Sequence, residues 1–161
     1  MGTSRTGRIL NTRGSRRTIS EYALVHSNEG TYINVNSKDK KKNPVRLKSG
    51  GHGEKMFKIL KKNHIGYNIA KTYPNGVRIG TVENHKNPVK RLYNGQAWFP
   101  KEWTWKEILR AGEHVAALKS NKKAKDGEHM TGIWKGVKVV VIKINGRPST
   151  ICPSLDQPTK K

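Results

Sequence analysis

Apolar and polar positions along the chain follow two different periods, which together predict helices and hairpins. In residues 54–63 the apolar side chains fall on one helical face with lysines opposite, as is typical of an amphipathic helix. Residues 67–72 and 77–82 flank the sequence Tyr-Pro-Asn-Gly, whose turn chemistry predicts a β-hairpin. The middle of the chain is therefore expected to fold as a helix followed by a hairpin.

The same order repeats in the second half of the chain. Thr104 and Glu107 have the spacing of a capping box, which predicts a helix from there to about Lys119. After a polar loop, residues 137–144 and 147–152 flank Asn-Gly, a strong signal for a second hairpin. The three tryptophans and the phenylalanine just before the helix are expected to form core. The sequence of helix, hairpin, helix and hairpin predicts an α+β fold with helices packed on antiparallel β-sheet.

The first part of the chain has a weaker pattern. Its first twenty residues are rich in Gly, Ser, Thr and Arg, residues 21–36 alternate enough for a short helix or strand, and residues 37–44 form a charged loop. We therefore interpret residues 1–44 as an N-terminal arm or connector that is partly flexible. Residues 45–161 are the predicted domain, whose compact part ends near Pro153 and is followed by a short basic tail.

Positive charge is the largest compositional signal. Lys and Arg total 33 against 11 Asp and Glu, a formal net charge of +22. Such an excess favours a polyanionic partner, nucleic acid in particular, and an acidic protein ligand as a second partner, with a solvated basic surface or binding to a membrane surface as the alternatives. No apolar run approaches the ~18 residues of a membrane span, so no membrane anchoring is expected. The single cysteine, Cys152, excludes an internal disulfide framework and a cysteine-based zinc site.

The pattern of acids and histidines does not favour metal chemistry. The acidic residues are scattered, and His26, His64, His114 and His129 have no short-spaced partners, so no metal or other cofactor is expected. We expect His64 and His114 to have structural roles and His26 and His129 to be exposed.

Cleavage of RNA without a metal needs only a few groups. One group takes the proton of the ribose 2′-hydroxyl, another gives a proton to the leaving 5′-oxygen, and a cation or backbone N–H stabilises the phosphorane. Two histidines suit this chemistry, because a neutral and a protonated imidazole coexist near pH 7. DNA lacks the 2′-hydroxyl, so this arrangement is specific for RNA.

Two histidines lie in surroundings that fit such a site. His52 sits in a glycine-rich loop before a predicted helix, where free N–H groups attract phosphate. His85 follows the first hairpin in a basic turn. Plain structural roles remain open for both, as a helix cap for His52 and as a surface loop residue for His85. Thr150, at the end of a strand, has a hydroxyl that can bind a base edge or pair across the sheet.

Four ordered blocks of the sequence resemble the bacterial EndoU nuclease domain, which occurs at the C-termini of polymorphic toxins, including those of contact-dependent growth inhibition. The similarity extends over about residues 45–153, and the blocks read SGGHGEKMFKILKKN, YPNGVRIGTVENHK, QAWFPKEWTWKEILRAG and INGRPSTICP. The resemblance implies an EndoU or barnase-like ribonuclease fold. It makes His52 and His85 the catalytic pair and Thr150 the hydroxyl that contacts the base or orients the site.

The resemblance also implies a product, a target and a partner. The expected product is a 2′,3′-cyclic phosphate, the expected target is tRNA, and a cognate immunity protein, expected to be acidic, covers the active site. The domain would be delivered from a secreted or cell-surface protein and act in the cytoplasm of a target cell. No stable homo-oligomer is implied.

Two departures from the family's pattern are visible. Many members have Lys-Thr or Lys-Ser where this chain has Gln96-Ala97, and a tyrosine that stacks on uracil where it has Cys152. Cysteine cannot stack on a base, so a preference for uridine does not carry over. The stabilising cation must come from elsewhere, and the candidates for contact with phosphate or RNA are Lys86, Lys90, Arg91, Gly51 and Cys152.

Two functions from other classes also fit the sequence. A non-catalytic RNA-binding or ribosome-associated protein would explain the charge equally well, and a DNA-cleaving toxin is the third possibility. The paired histidines distinguish the nuclease from a binding protein, which needs neither of them.

Overall fold

Within residues 9–10 and 19–160, the part of the chain that a computed structural model describes, the fold is α+β with four α-helices and ten β-strands. The helices are α1 (Glu21–Asn28), α2 (Lys55–Lys62), α3 (Pro88–Leu92) and α4 (Trp105–Ala117), followed by a 3₁₀ turn at Lys119–Asn121. The strands are β1 (Ile9–Leu10), β2 (Ile19–Ser20), β3 (Thr31–Ile33), β4 (Arg46–Ser49), β5 (Tyr67–Thr72), β6 (Arg78–Val82), β7 (Gln96–Trp98), β8 (His129–Trp134), β9 (Val137–Ile144) and β10 (Arg147–Pro153). None of the described helices is both long and apolar enough to cross a membrane.

All described strand pairs are antiparallel. Strands β5, β6 and β7 form one three-stranded sheet in that order, and β8, β9 and β10 form another with β9 in the centre. The strand pairs β1–β2 and β3–β4 complete the set. The predicted α+β class and both predicted hairpins, β5–β6 and β9–β10, are therefore confirmed.

The larger hydrophobic core lies between α1, α4 and the sheet of β8, β9 and β10. Ile108, Leu109 and Val115 of α4 are fully buried there against alternate valines of β9. Alternation explains this packing, because successive side chains of a strand point to opposite faces and only one face meets the helix.

A smaller core forms under α2, which has the amphipathic pattern that the sequence predicts. Met56, Phe57 and Leu60 are buried on its inner face, together with Trp98 of β7. Arg78 of β6 binds the carboxylate of Glu54, the N-cap residue of α2, and so ties the start of the helix to the sheet.

The Trp-rich segment before α4 is mostly core, as expected. Trp98 and Phe99 are fully buried and Trp103 nearly so, whereas Trp105 is exposed. The predicted capping box is wrong. Thr104 is the N-cap residue of α4, but its side chain makes no capping hydrogen bond, and Glu107 instead accepts from Lys135 and Trp134. The helix also ends two residues early, at Ala117.

The predicted domain start at Val45 is too late. Ile19, Ala23 and Leu24 are buried in the larger core, so β2 and α1 belong to the folded unit. The apolar and polar residues of this segment alternate too weakly to predict that it is part of the domain, because α1 is short and has apolar side chains on more than one face. Residues 1–8 and 11–18 of the predicted arm lie outside the described residues. Strand β8 was not predicted either, because its segment has the composition of a polar loop.

Candidate active site

Two glycines bring the loop after β4 against the end of α1. Gly50 and Gly51 have φ angles of 73° and 76°, a left-handed conformation that favours glycine. A Cβ at Gly50 would collide with the backbone oxygen of His26, which accepts a hydrogen bond from the N–H of Gly51 at 3.0 Å. The close approach of loop and helix places His52 beside His26.

His52 is 4% exposed, and its ring is held by the neighbouring sheet. Its Nδ1 lies 2.8 Å from the carbonyl oxygen of Ala97. A carbonyl oxygen only accepts, so Nδ1 carries the proton and Nε2 keeps a lone pair in the neutral ring. Burial, and then the positive charge of Lys90, lower the pKa of His52 to about 3. The helix-cap alternative is wrong, because the N-cap residue of α2 is Glu54.

His85 has the opposite tautomer. The backbone N–H of Asn87 donates to its Nδ1 at 2.9 Å, so the neutral ring carries its proton on Nε2. Within the described residues, that Nε2 is buried without a hydrogen-bond partner. Burial, and then Lys90 and Arg91, lower the pKa of His85 to about 4. His85 is 1% exposed, so the alternative of a surface loop residue is wrong.

Lys90, on α3, is the electrostatic centre of this cluster. After burial, its charge is the next largest cause of the lowered pKa of His26, His52 and His85, and at Cys152 it opposes the burial that raises the pKa of the thiol. Burial lowers the pKa of Lys90 itself. Among the three basic residues predicted to contact phosphate, Lys90 is thus the one that lies among the histidines.

The other two basic candidates are peripheral. Arg91 donates from Nη1 to the backbone oxygen of His85 at 2.9 Å, and so braces the turn that carries this histidine. Lys86 is exposed, and its backbone N–H donates to the carbonyl of Leu47.

Thr150 contacts His26, a histidine that the sequence pattern does not mark as part of the site. Its Oγ1 lies 3.2 Å from Nε2 of His26, whose Nδ1 lies 2.6 Å from Oγ1 of Thr31. The prediction that His26 is exposed is therefore wrong, because its ring is half-buried between two threonine hydroxyls. The prediction for His129 is confirmed, since that residue is exposed. No local sequence signal marks a contact between residues 124 positions apart.

Cys152 and Gln96 line the same region. Cys152 follows Thr150 by two positions in β10, and burial raises the pKa of its thiol to about 11, so the thiol stays neutral. Gln96 is fully buried and donates from Nε2 to the carbonyl of Gly51 at 2.7 Å, while its Oε1 has no partner within the described residues. In the sequence, Gln96 is only a departure from the family's pattern. In the structure its side chain stabilises the turn at Gly50 and Gly51.

The structure thus collects His52, His85, Lys90, Thr150 and His26 around one site. Both His52 and His85 are neutral at pH 7 in the free protein, whereas the sequence analysis expected one neutral and one charged ring. The two rings nevertheless offer complementary groups, a lone pair on Nε2 of His52 and an N–H on Nε2 of His85. No cluster of three or more His, Cys, Asp or Glu side chains suited to a metal ion occurs in the described part of the chain.

Comparison with protein families identifies the family of the chain. A family model described as bacterial EndoU nuclease matches residues 34–155, well over half of the chain. The match includes His52, His85, Lys90 and Thr150, whereas His26 lies before its first residue. No curated protein and no solved structure matches the chain.

Proposed function

Because the chain belongs to the bacterial EndoU nuclease family, we propose that it is a metal-independent endoribonuclease. The 2′-hydroxyl of a ribose attacks the adjacent phosphate, and the products are a 2′,3′-cyclic phosphate and a free 5′-hydroxyl. The observation that supports this most is the pair of buried neutral imidazoles beside Lys90, one with a lone pair and one with an N–H.

His52 is the general base in this mechanism. Its Nε2 accepts the proton of the 2′-hydroxyl while Nδ1–H stays bound to the carbonyl of Ala97. That hydrogen bond becomes charge-assisted once the ring is protonated, and it then stabilises the imidazolium. The negative charge of a bound phosphate offsets the field of Lys90, which raises the pKa of His52 towards the range of a useful base.

His85 acts as a neutral hydrogen-bond donor to the phosphoryl oxygens. The N–H of Asn87 occupies its Nδ1, so a second proton on the ring would break that bond. A neutral imidazole is too weak an acid to release its N–H proton, so the proton for the leaving 5′-oxygen comes from the ammonium group of Lys90. The lowered pKa of Lys90 makes it a stronger acid than an ordinary lysine, and its charge stabilises the phosphorane.

The target and the partner follow from charge and from the family. We propose that the domain is a toxin that cleaves tRNA in the cytoplasm of a target cell and is neutralised by an acidic immunity protein. A net charge of +22 supports both interactions, since each brings an anionic surface to the same positive field.

Cleavage of total RNA in EDTA tests this proposal. The best variants are His52→Asn and His85→Asn, because an asparagine amide can keep the hydrogen bond that each Nδ1 makes but has no group at the position of Nε2. We expect His52→Asn to lose about 10²- to 10⁴-fold in cleavage rate, as for loss of a general base. We expect His85→Asn to lose about 10²- to 10³-fold, as for loss of one donor to the developing charge, while RNA binding persists in both.

His64→Asn and His129→Asn are the matched controls, since both histidines are exposed. Asparagine also tolerates the positive φ of 56° at His64. Both controls should cleave like the wild type. Full activity in the His52 and His85 variants would disprove the assigned site, and cleavage of DNA that requires a metal would disprove the assigned reaction.

A further inference from the structure

We infer that Tyr93, the C-cap residue of α3, is a stacking platform for a base of the RNA strand on the 3′ side of the scissile bond. This subsite lies on the outer face of α3, outside the group of side chains that carries out the reaction. The inference rests on the proposed function, because it concerns the path of the strand that the site cleaves.

The outer face of α3 carries three large apolar side chains that are exposed. Val89 is 53% exposed, Leu92 is 60% exposed and Tyr93 is 73% exposed. Residues three and four positions apart are neighbours on a helix surface, so the three side chains form one group, which we call the α3 patch. Single exposed apolar side chains are common on protein surfaces, whereas a group of them is typical of a binding surface.

The turn that ends α3 holds the backbone of Tyr93 in place. The N–H of Tyr93 donates to the carbonyl oxygen of Val89 at 3.0 Å, and the N–H of Gly95 donates to the same oxygen at 3.1 Å. The start of the helix is fixed as well, because Oδ1 of Asn87 accepts from the N–H of Val89. The ring of Tyr93 therefore projects from an ordered backbone, which lowers the entropy cost of binding a ligand to it.

The chain around the α3 patch is basic and holds no acid. Residues 84–101 contain four Lys or Arg and no Asp or Glu, and β6 and β7, on which α3 packs, contain no acid either. Lys86 is exposed and Arg91 is half-buried. An aromatic ring beside cations suits single-stranded nucleic acid, because a base stacks on the ring while the cations bind phosphates.

Lys90 sets the position of the α3 patch relative to the reaction. The side chain of Lys90 is half-buried among the histidines, whereas Tyr93, three positions later, faces solvent. Side chains at this spacing begin roughly 5–6 Å apart. In the proposed mechanism Lys90 protonates the leaving 5′-oxygen, so the strand on the 3′ side of the cut begins beside α3. An endonuclease substrate continues past the cut, and RNA is therefore the occupant of the α3 patch in preference to a protein partner.

A series of modified RNAs tests the inference in the cleavage assay in EDTA. Each RNA contains the mapped cleavage site, and one nucleotide on its 3′ side is replaced by an abasic ribose, at a different position in each member of the series. For the wild type we expect the replacement at one of these positions to lower kcat/KM about 5- to 100-fold, as for the loss of one stacked base.

Variants of Tyr93 show whether its ring is the partner of that base. Tyr93→Ala should lose a similar factor on the intact RNA, and the abasic replacement should then cost it no more than about twofold, because the stack is already absent. Tyr93→Phe keeps the ring and should stay within about threefold of the wild type. Trp105→Ala is the control, since Trp105 is also an exposed aromatic residue but lies on α4, which packs on β8 and β9. It should match the wild type on every RNA.

Each outcome bears on one claim. A wild type that tolerates every abasic replacement, or an unchanged kcat/KM in Tyr93→Ala on the intact RNA, would overturn the inference and leave the α3 patch to a protein partner. Losses that multiply when Tyr93→Ala cleaves the abasic RNA, or an equal loss in Tyr93→Phe or Trp105→Ala, would overturn it as well. If Tyr93→Ala does not fold by circular dichroism, Tyr93→Leu, which is apolar but has no ring, replaces it with the same expectations. A wild-type protein that does not cleave RNA would overturn the proposed function itself, before any variant is compared.

Discussion

The buried neutral state of His52 predicts a specific loss of stability in acid. Its pKa is about 3 in the folded protein and 6.5 as the ordinary value, so both states hold a neutral ring above pH 6.5. Below pH 6.5 His52 binds a proton in the unfolded chain but stays neutral in the folded protein. The free energy of unfolding therefore falls as the pH falls. The loss is about 1.4 kcal/mol per pH unit, or about 2 kcal/mol from His52 between pH 8 and pH 5.

Substitution by asparagine isolates this contribution. His52→Asn can keep the hydrogen bond to the carbonyl of Ala97 but cannot titrate. We expect the wild type to lose about 4 kcal/mol between pH 8 and pH 5 from His52 and His85 together, and the variant to lose about 2 kcal/mol less. The assay is denaturant unfolding at the two pH values, followed by tryptophan fluorescence, to which the buried Trp98 contributes.

His64→Asn is the control for this measurement, because His64 is exposed at the end of α2. Its pH dependence should match that of the wild type. If His52→Asn loses stability in acid as steeply as the wild type does, His52 is not held neutral by the fold, and its assignment as a ready base is wrong.

Two further predictions concern Lys90 and Gln96. If Lys90 supplies the proton of the leaving group, Lys90→Met should cleave ordinary RNA about 10²-fold or more slowly. On RNA with a 5′-bridging sulfur, whose thiolate leaves without a proton, the variant should recover the part of that loss that comes from proton donation and keep the part that comes from weaker stabilisation of the phosphorane. His52→Asn should gain nothing from that substrate, and the same gain in both variants would refute the assignment. Gln96→Met removes the donor to the carbonyl of Gly51 and should lower the free energy of unfolding by about 1 to 3 kcal/mol. An unchanged denaturation midpoint would show that Gln96 does not hold the glycine turn.

Local patterns predicted the regular elements well, because those patterns arise from contacts within a few residues. The face of Met56, Phe57 and Leu60 on α2 and the Asn-Gly turn between β9 and β10 are such cases. The capping box failed because Glu107 found partners across the fold, in Trp134 and Lys135.

The site was predictable only in part. Family blocks pointed to His52 and His85, and the basic turn pointed to Lys90, but His26 reaches Thr150 across 124 positions. The tautomers of His52 and His85 could not be predicted from the sequence either, because the groups that fix them are a backbone carbonyl and a backbone N–H. Backbone groups occur at every residue, so no pattern of residue types marks the ones that bind a histidine ring.

The chemistry of the cut ends tests the central claim most directly. A synthetic RNA that contains the mapped cleavage site is incubated with the protein in EDTA. A second strand of the same sequence, with a single 2′-deoxyribose at the attacking position, is treated in parallel. The masses of the fragments are measured by mass spectrometry. We predict a 2′,3′-cyclic phosphate and a 5′-hydroxyl from the first strand and no cleavage of the second. Cleavage of the deoxy strand at that position, or fragments with a 5′-phosphate, would contradict the account.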